Sequence, residues 1–120
     1  MSDNDLFAGV AAITAWLDGS NPVGAPGDSI ARHALKITEE TGEVAAALAG
    51  LRGWNPRKGV THTLEDLEGE LADVALAAMT ALQHLTQNAD ATRAVLETKI
   101  QKVIARSGIR PLALVADHDV

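Results

Sequence analysis

The sequence predicts an all-α fold in which four helices form a bundle. Alanine and leucine dominate its apolar residues, whereas the chain contains only two Trp, one Phe and no Tyr. Such a composition favours close-packed helices, because strands prefer aromatic and β-branched residues. Apolar residues also recur at alternating spacings of three and four in four segments, and stretches rich in Gly and Pro separate the first three. With 120 residues, the chain is expected to form a single domain.

The first half of the chain contains two of these segments. A first helix is expected from a cap within residues 3–5 to about Asp18, followed by a loop over 19–27 that carries Pro22 and Pro26. Asp28 or Ser29 can cap the second helix, which continues to about Arg52. Residues 1–27 therefore form an N-terminal helix and loop that precede the main body.

The second half begins with a loop over residues 54–59. Thr61 or Thr63 can cap a third helix that extends to about Gln87, and acidic residues early in that helix suit its dipole. A fourth helix is expected from Asn88 or Asp90 to about Arg106. Residues 28–106 thus hold the three helices that carry the candidate site, and residues 107–120 are expected to form a C-terminal tail.

Charge and composition exclude several classes of function. The net charge of −6 argues against general binding to nucleic acids or anionic membranes. The absence of cysteine excludes disulfides, thiolate chemistry and cysteine-based zinc sites. The acidic start of the chain is unlike a secretion signal, and no apolar run is long enough to span a bilayer. A soluble, cytoplasmic protein is expected.

Two short stretches carry carboxylates at helical spacing. Glu39-Glu40-Thr41-Gly42-Glu43 places Glu40 and Glu43 three residues apart on the second helix, and Glu70-Leu71-Ala72-Asp73 does the same on the third. Four carboxylates on adjacent helices repel one another unless a hard cation lies between them. Mg²⁺ is the usual cation in an oxygen-only site that also takes phosphates, and Mn²⁺ is a possible substitute.

The alternative is that these carboxylates are solvated, because Glu is a good helix former and Glu pairs on exposed faces are common. Asp73 argues for the functional interpretation, since residues 71–82 are apolar on nearly every side and a helix of that kind is expected to be buried. An ionised Asp there needs a cation or hydrogen bonds. The same segment predicts a dimer or higher oligomer with the third helix near its centre.

Other polar and aromatic residues were weighed as parts of a ligand site. Lys36 lies on the flank of the second helix that carries Glu40, and Trp54 in the following loop can stack on a base or close the end of the bundle. Trp16 is expected in the core, and His33 is expected to be a hydrogen-bonded packing residue. The fourth helix carries three cations that either face phosphate or complement the helix dipole: Lys99, Lys102 and Arg106. His62, His84 and His118 show no ligand spacing.

Over residues 30–106 the chain resembles the MazG-like nucleotide pyrophosphohydrolases, members of the all-α nucleoside triphosphate pyrophosphatase superfamily. The resemblance lies in the Glu-Glu-x-x-Glu and Glu-x-x-Asp stretches given above and in the neighbouring Lys36-Ile37-Thr38. It implies Mg²⁺-dependent cleavage of a nucleoside triphosphate into a monophosphate and pyrophosphate, with house-cleaning of non-canonical nucleotides as the role. It also implies a homodimer or homotetramer.

The resemblance assigns a role to each matching residue. Glu39 would help to orient a ligand or water, and the cations of the fourth helix would face phosphate. The residues implied to hold the metal are Glu40, Glu43, Glu70 and Asp73, and these four together with Glu39 are implied to be catalytic. Two alternatives stay open: a biosynthetic phosphoribosyl-ATP pyrophosphohydrolase, and a non-catalytic helical protein that binds partners or oligomerises.

Overall fold

Four helices follow one another in the computed structural model, which describes residues 1–20 and 28–109. They are α1 (Asp3–Ser20), α2 (Asp28–Arg52), α3 (Leu64–Thr86) and α4 (Ala89–Ser107). No strand occurs in these two ranges, so the all-α, four-helix prediction is confirmed there. Helix α1 continues through Gly19 and Ser20, so its predicted end near Asp18 and the predicted start of the loop at residue 19 are wrong by two residues, because the last turn stays helical despite the glycine. The rest of the predicted loop, residues 21–27, and the part of the predicted tail beyond residue 109 lie outside the described residues.

Short polar side chains begin three of the helices. Ser2 and Asp5 exchange hydrogen bonds at the start of α1, so Ser2 rather than a residue within 3–5 caps this helix. Thr63 and Asp66 form a capping box on α3, in which each side chain accepts a hydrogen bond from the backbone N–H of the other. Asn88 caps α4 by accepting from the N–H of Ala91. These side chains satisfy amide groups that have no partner within the helix.

The connection between α2 and α3 is held close to the end of α2. The N–H of Gly53 bonds the carbonyl of Gly50, and the N–H of Trp54 bonds that of Ala49, which is the hydrogen-bond pattern of a Schellman motif. Gly53 supplies the positive φ of 65° that this motif needs. Thr61 then returns its N–H to the Gly50 carbonyl at 2.9 Å. The chain therefore doubles back and starts α3 beside α2.

Only two residues separate α3 from α4. Gln87 takes a left-handed conformation with φ 57° and donates its N–H to the carbonyl of Gln83 at 2.8 Å. The hydroxyl of Thr86 lies 2.7 Å from that of Thr92, and Thr92 in turn donates to the side-chain oxygen of Gln83 at 2.7 Å. Since Thr92 is fully buried, these bonds fix the first turn of α4 against the end of α3.

Helix α3 packs against each of the other three helices, and its pairing with α2 is the most extensive of those between the described helices. The interior is small and unusually polar. Its buried apolar residues, within the described ranges, are Val10, Ala47 and Ala77. Its buried polar residues are Thr14, His33, Thr80, Gln83 and Thr92.

Several large apolar side chains lie on the surface of the single chain. Trp16 is 68% exposed, so its predicted place in the core is wrong for one copy of the chain. The reason is that α1 packs on α3 and α4 through the face that carries Val10 and Thr14, and Trp16 lies outside that face. Other exposed apolar residues on α2, α3 and α4 are Leu35, Leu64, Leu71, Leu76, Leu85, Val95 and Ile100.

Candidate functional site

Three carboxylates from two helices converge in the structure. Glu40 of α2 and both Glu70 and Asp73 of α3 each place one oxygen within 4.8 Å of the others. They come together because α2 and α3 lie side by side, and because a spacing of three residues puts Glu70 and Asp73 on the same face of α3. The convergence links stretches that are thirty residues apart in sequence.

The other two acidic residues of the first stretch lie at the edge of this cluster. Glu43 is exposed, but its charge is close enough to raise the pKa of Glu70. The side chain of Glu39 is 63% exposed and lies 3.5 Å from the ammonium group of Lys36. The structure therefore places Glu43 beside the cluster and directs Glu39 towards solvent.

Lys36 is the cation that contacts the cluster. Its ammonium group lies 2.9 Å from Glu40, whose side chain is only 13% exposed. The hydrogen bond to Glu40 raises the pKa of Lys36, with further contributions from the charges of Glu39 and Glu40. One ammonium group thus offsets part of the charge of several carboxylates.

The remaining negative charge affects Glu70 most. Desolvation raises the pKa of its carboxyl group, and the neighbouring charges of Asp73, Glu43 and Glu40 raise it further. A raised pKa means that the folded protein holds this group ionised at a cost in free energy. A divalent cation among the carboxylates would remove that cost.

A cavity of about 190 Å³ opens beside the carboxylates, between α1, α2 and α3. Its polar end carries Lys36, Glu40 and Asp73, and Thr80 lies farther along α3. Apolar side chains form the rest of its lining: Ile13, Leu17, Leu76 and Ala77. A net-negative end next to an apolar wall suits a ligand that brings a cation together with an uncharged ring.

Asp73 is exposed in the structure, so the prediction of its burial is wrong for the single chain. Leu71 beside it is 52% exposed as well. Residues 71–82 do carry an apolar pattern, but within one copy of the chain the other helices cover only part of this stretch of α3. The argument that burial alone forces Asp73 to bind a cation therefore does not hold, and the case for a cation depends on the convergence of the carboxylates.

The other residues predicted to bind substrate belong neither to the carboxylate cluster nor to the lining of the adjacent cavity. Trp54 is 65% exposed in the loop after α2. Lys99 and Lys102 lie along a surface groove whose described lining residues all belong to α4, and Arg106 is exposed near the end of that helix. The structure does not bring them to the carboxylates within a single chain.

A second cluster, which the sequence reasoning missed, joins Asp18, His33 and His84. One oxygen of Asp18 lies 2.8 Å from Nε2 of His33, and the other lies 2.7 Å from Nδ1 of His84. The two imidazole rings are 4.9 Å apart. His33 is buried and hydrogen-bonded, as predicted. His84 shows no ligand spacing in the sequence, and the structure brings it to Asp18 across sixty-six residues. No local spacing in the sequence reveals a cluster formed by three helices.

Comparisons with known proteins do not identify a family. No family model matches the chain, and no curated protein or solved structure matches it. Among the described residues, no helix combines the length and the apolar character needed to cross a membrane. The family resemblance noted in the sequence therefore stays a prediction.

Proposed function

We propose that this protein is a Mg²⁺-dependent nucleoside triphosphate pyrophosphohydrolase of the MazG-like type. The observation that supports this most is the convergence of Glu40, Glu70 and Asp73 beside a cavity with an apolar wall. The products would be a nucleoside monophosphate and pyrophosphate, and the role would be the removal of non-canonical nucleotides in the cytoplasm.

The residues of the cluster fit a hard divalent cation. All the candidate ligand atoms are carboxylate oxygens, the donors that Mg²⁺ prefers. The raised pKa of Glu70 indicates that Lys36 alone does not balance the acidic groups. Glu40, Glu70 and Asp73 would hold the cation, and the nearby charge of Glu43 would add to the attraction for it.

Each residue around the cavity has a part in this proposal. Bound Mg²⁺ would supply charge neutralisation at the phosphates and a water of lowered pKa. Lys36 would hold Glu40 in place until substrate arrives and then interact with a phosphate oxygen. The apolar side chains of Ile13, Leu17 and Leu76 would contact the base and exclude water from one side of the triphosphate.

Self-association would complete the site. The cavity of about 190 Å³ is smaller than the roughly 300–1,000 Å³ typical of small-molecule sites, so one chain encloses only part of a nucleotide. Exposed leucines on α2 and α3, among them Leu35 and Leu71, offer an apolar surface for a second copy. In a homodimer or homotetramer, the partner's fourth helix could bring its basic residues to the phosphates.

The test is a panel of ribo- and deoxyribonucleoside triphosphates incubated with the protein and Mg²⁺. Release of monophosphate and pyrophosphate is the expected result. Asp73→Asn and Glu40→Gln should each lower kcat/KM by at least about 100-fold, because the loss of a residue that only supports a metal ligand already costs 10- to 100-fold. Glu68→Gln is the matched control, since Glu68 is an exposed carboxylate of the same helix outside the cluster.

Two results would contradict the proposal. Orthophosphate as the first product would mean that a different bond is cut, and equal activity in Asp73→Asn and Glu68→Gln would remove the cluster from catalysis. Phosphoribosyl-ATP offered in competition tests the biosynthetic alternative.

The Lys36–Glu40 ion pair favours the non-catalytic alternative, because a carboxylate with a partner needs no metal. Under that alternative, Mg²⁺ would leave Tm unchanged, whereas a bound cation must raise it.

A further inference from the structure

The cluster of Asp18, His33 and His84 is built from three helices and lies mostly inside the protein. Asp18 comes from α1, His33 from α2 and His84 from α3. His33 is 6% exposed, and the side chains of Asp18 and His84 are 25% and 21% exposed. Both imidazoles point a nitrogen at the same carboxylate, so their convergence is a feature of the tertiary fold.

We propose that Asp18, His33 and His84 form a binding site for a transition-metal ion of the zinc type. Two imidazole nitrogens and one carboxylate oxygen are a ligand set that Zn²⁺ uses, with a fourth position left for water. The hard cation expected at the all-oxygen cluster would not prefer these nitrogen donors. The proposal does not depend on the proposed function.

The geometry of the cluster is close to that of a loaded site. One ligand atom from each residue lies within 4.8 Å of the other two. Zn–N distances of 2.0–2.1 Å in a tetrahedron put ligand atoms about 3.3 Å apart. The 2.8 Å distance between Asp18 and His33 would lengthen by about 0.5 Å. The longest distance between any two of the three ligand atoms, at most 4.8 Å, would shorten by about 1.5 Å or less. Rotation of the side chains covers these changes.

The alternative to a metal is a hydrogen-bonded clamp in which both rings donate an N–H to Asp18. To bind metal, each neutral imidazole shifts its proton from the nitrogen that faces Asp18 to its other ring nitrogen. The ring stays neutral in this change of tautomer, so no proton has to be released. The carboxylate is already suited to a cation: burial raises the pKa of Asp18, but the hydrogen bonds from His84 and His33 outweigh that effect and lower it. Asp18 is thus ionised as a metal ligand must be.

Metal binding by Asp18, His33 and His84 would affect the apolar wall of the cavity that lies beside the carboxylate cluster. Leu17 precedes Asp18 and lines the cavity next to the carboxylates, together with Ile13 one turn earlier. A cation held by all three helices would fix α1 against α2 and α3. The bound ion would thereby keep Leu17 in position.

The experiment titrates the EDTA-treated, full-length protein with Co²⁺, because tetrahedral Co²⁺ absorbs strongly in the visible range and octahedral Co²⁺ only weakly. We expect one equivalent to give a tetrahedral spectrum that Zn²⁺ abolishes by displacement. The spectrum should be absent in Asp18→Asn and His84→Gln and unchanged in Glu70→Gln. Zn²⁺ at about 100 times its Kd should raise the wild-type Tm by about 10 °C.

The proposal is overturned if wild-type protein gives no tetrahedral spectrum, a result that does not depend on any variant folding. It is also overturned if the spectrum persists in both Asp18→Asn and His84→Gln, or if Glu70→Gln abolishes it. A lower Tm in Asp18→Asn with no response of the wild type to Zn²⁺ would identify the cluster as a metal-free clamp.

Discussion

Gly50 lies where α2 passes closest to the segment that leads into α3. A Cβ atom built on Gly50 would overlap the ring of His62 and the hydroxyl group of Thr61. The carbonyl of Gly50 also accepts the N–H of Thr61 at 2.9 Å. Gly50→Ala therefore forces this segment away from α2, although alanine is the better helix former.

The opposing effects have different sizes. Alanine in place of a helical glycine stabilises by about 0.5–1 kcal/mol. Overpacking costs about 1–3 kcal/mol, and loss of the hydrogen bond from Thr61 adds about 1 kcal/mol. The net expectation is a loss of about 1–3 kcal/mol. For a domain of this size, a loss of about 2 kcal/mol, the middle of that range, lowers Tm by about 5–10 °C.

The assay is thermal unfolding followed by circular dichroism at a fixed protein concentration. Gly69→Ala is the matched control, because Gly69 is also helical and a Cβ there meets nothing within 4 Å. This variant should be more stable than wild type by about 0.5–1 kcal/mol. If Gly50→Ala proves as stable as Gly69→Ala, the close approach of the segment to α2 is refuted.

Three further predictions concern buried and charged groups. Thr92→Val should lower the free energy of unfolding in urea by about 1–3 kcal/mol, since it leaves the buried oxygen of Gln83 without its donor. Thr98→Val, the control on the exposed face of the same helix, should change it by less than about 0.5 kcal/mol. Asp66→Asn should lower Tm at neutral pH and match wild type in acid. Hydrogen bonds from Thr63 depress the pKa of Asp66 below 3.8, so the stability that the ionised carboxylate contributes is lost as the pH falls through that depressed value. Glu70→Gln should raise Tm in EDTA by an amount that grows above pH 4.5 and levels off above the raised pKa of Glu70. Wild type loses stability over that window because the unfolded chain ionises this group before the folded protein does. Equal pH profiles for the Glu70 variant and wild type would contradict the electrostatic account of the cluster.

Helix ends were the most predictable part of the fold. Thr63 was one of two expected caps for α3 and Asn88 one of two for α4, and both occupy those positions. A side-chain oxygen next to the first helical amides is a local feature that the sequence displays. Gly108 ends α4 with a φ of 68°, in line with the expected stop. Ser2 was missed as the cap of α1, since three acidic or amide side chains follow it and compete for the same role.

The candidate site was predictable where it depends on helical spacing. Glu70 and Asp73 share a face for that reason, and pairing of α2 with α3 adds Glu40. Burial was less predictable, because the exposure of Asp73 and Trp16 depends on which helices cover a face. The cluster around Asp18 was beyond the sequence, since its members are separated by loops of unknown path.

The two-residue corner after α3 sets the rotation of the last helix. Gln87 holds a backbone conformation that side chains with a Cβ seldom adopt, and the next residue already caps α4. A residue added after this corner and taken into the first turn of α4 would rotate the rest of the helix by about 100° about its own axis. Thr92 would then swing out of reach of Gln83, and Arg93 would leave its contacts with Asp3 and Asn4 at the start of α1. The length of this corner therefore sets how the N-terminal and C-terminal helices meet.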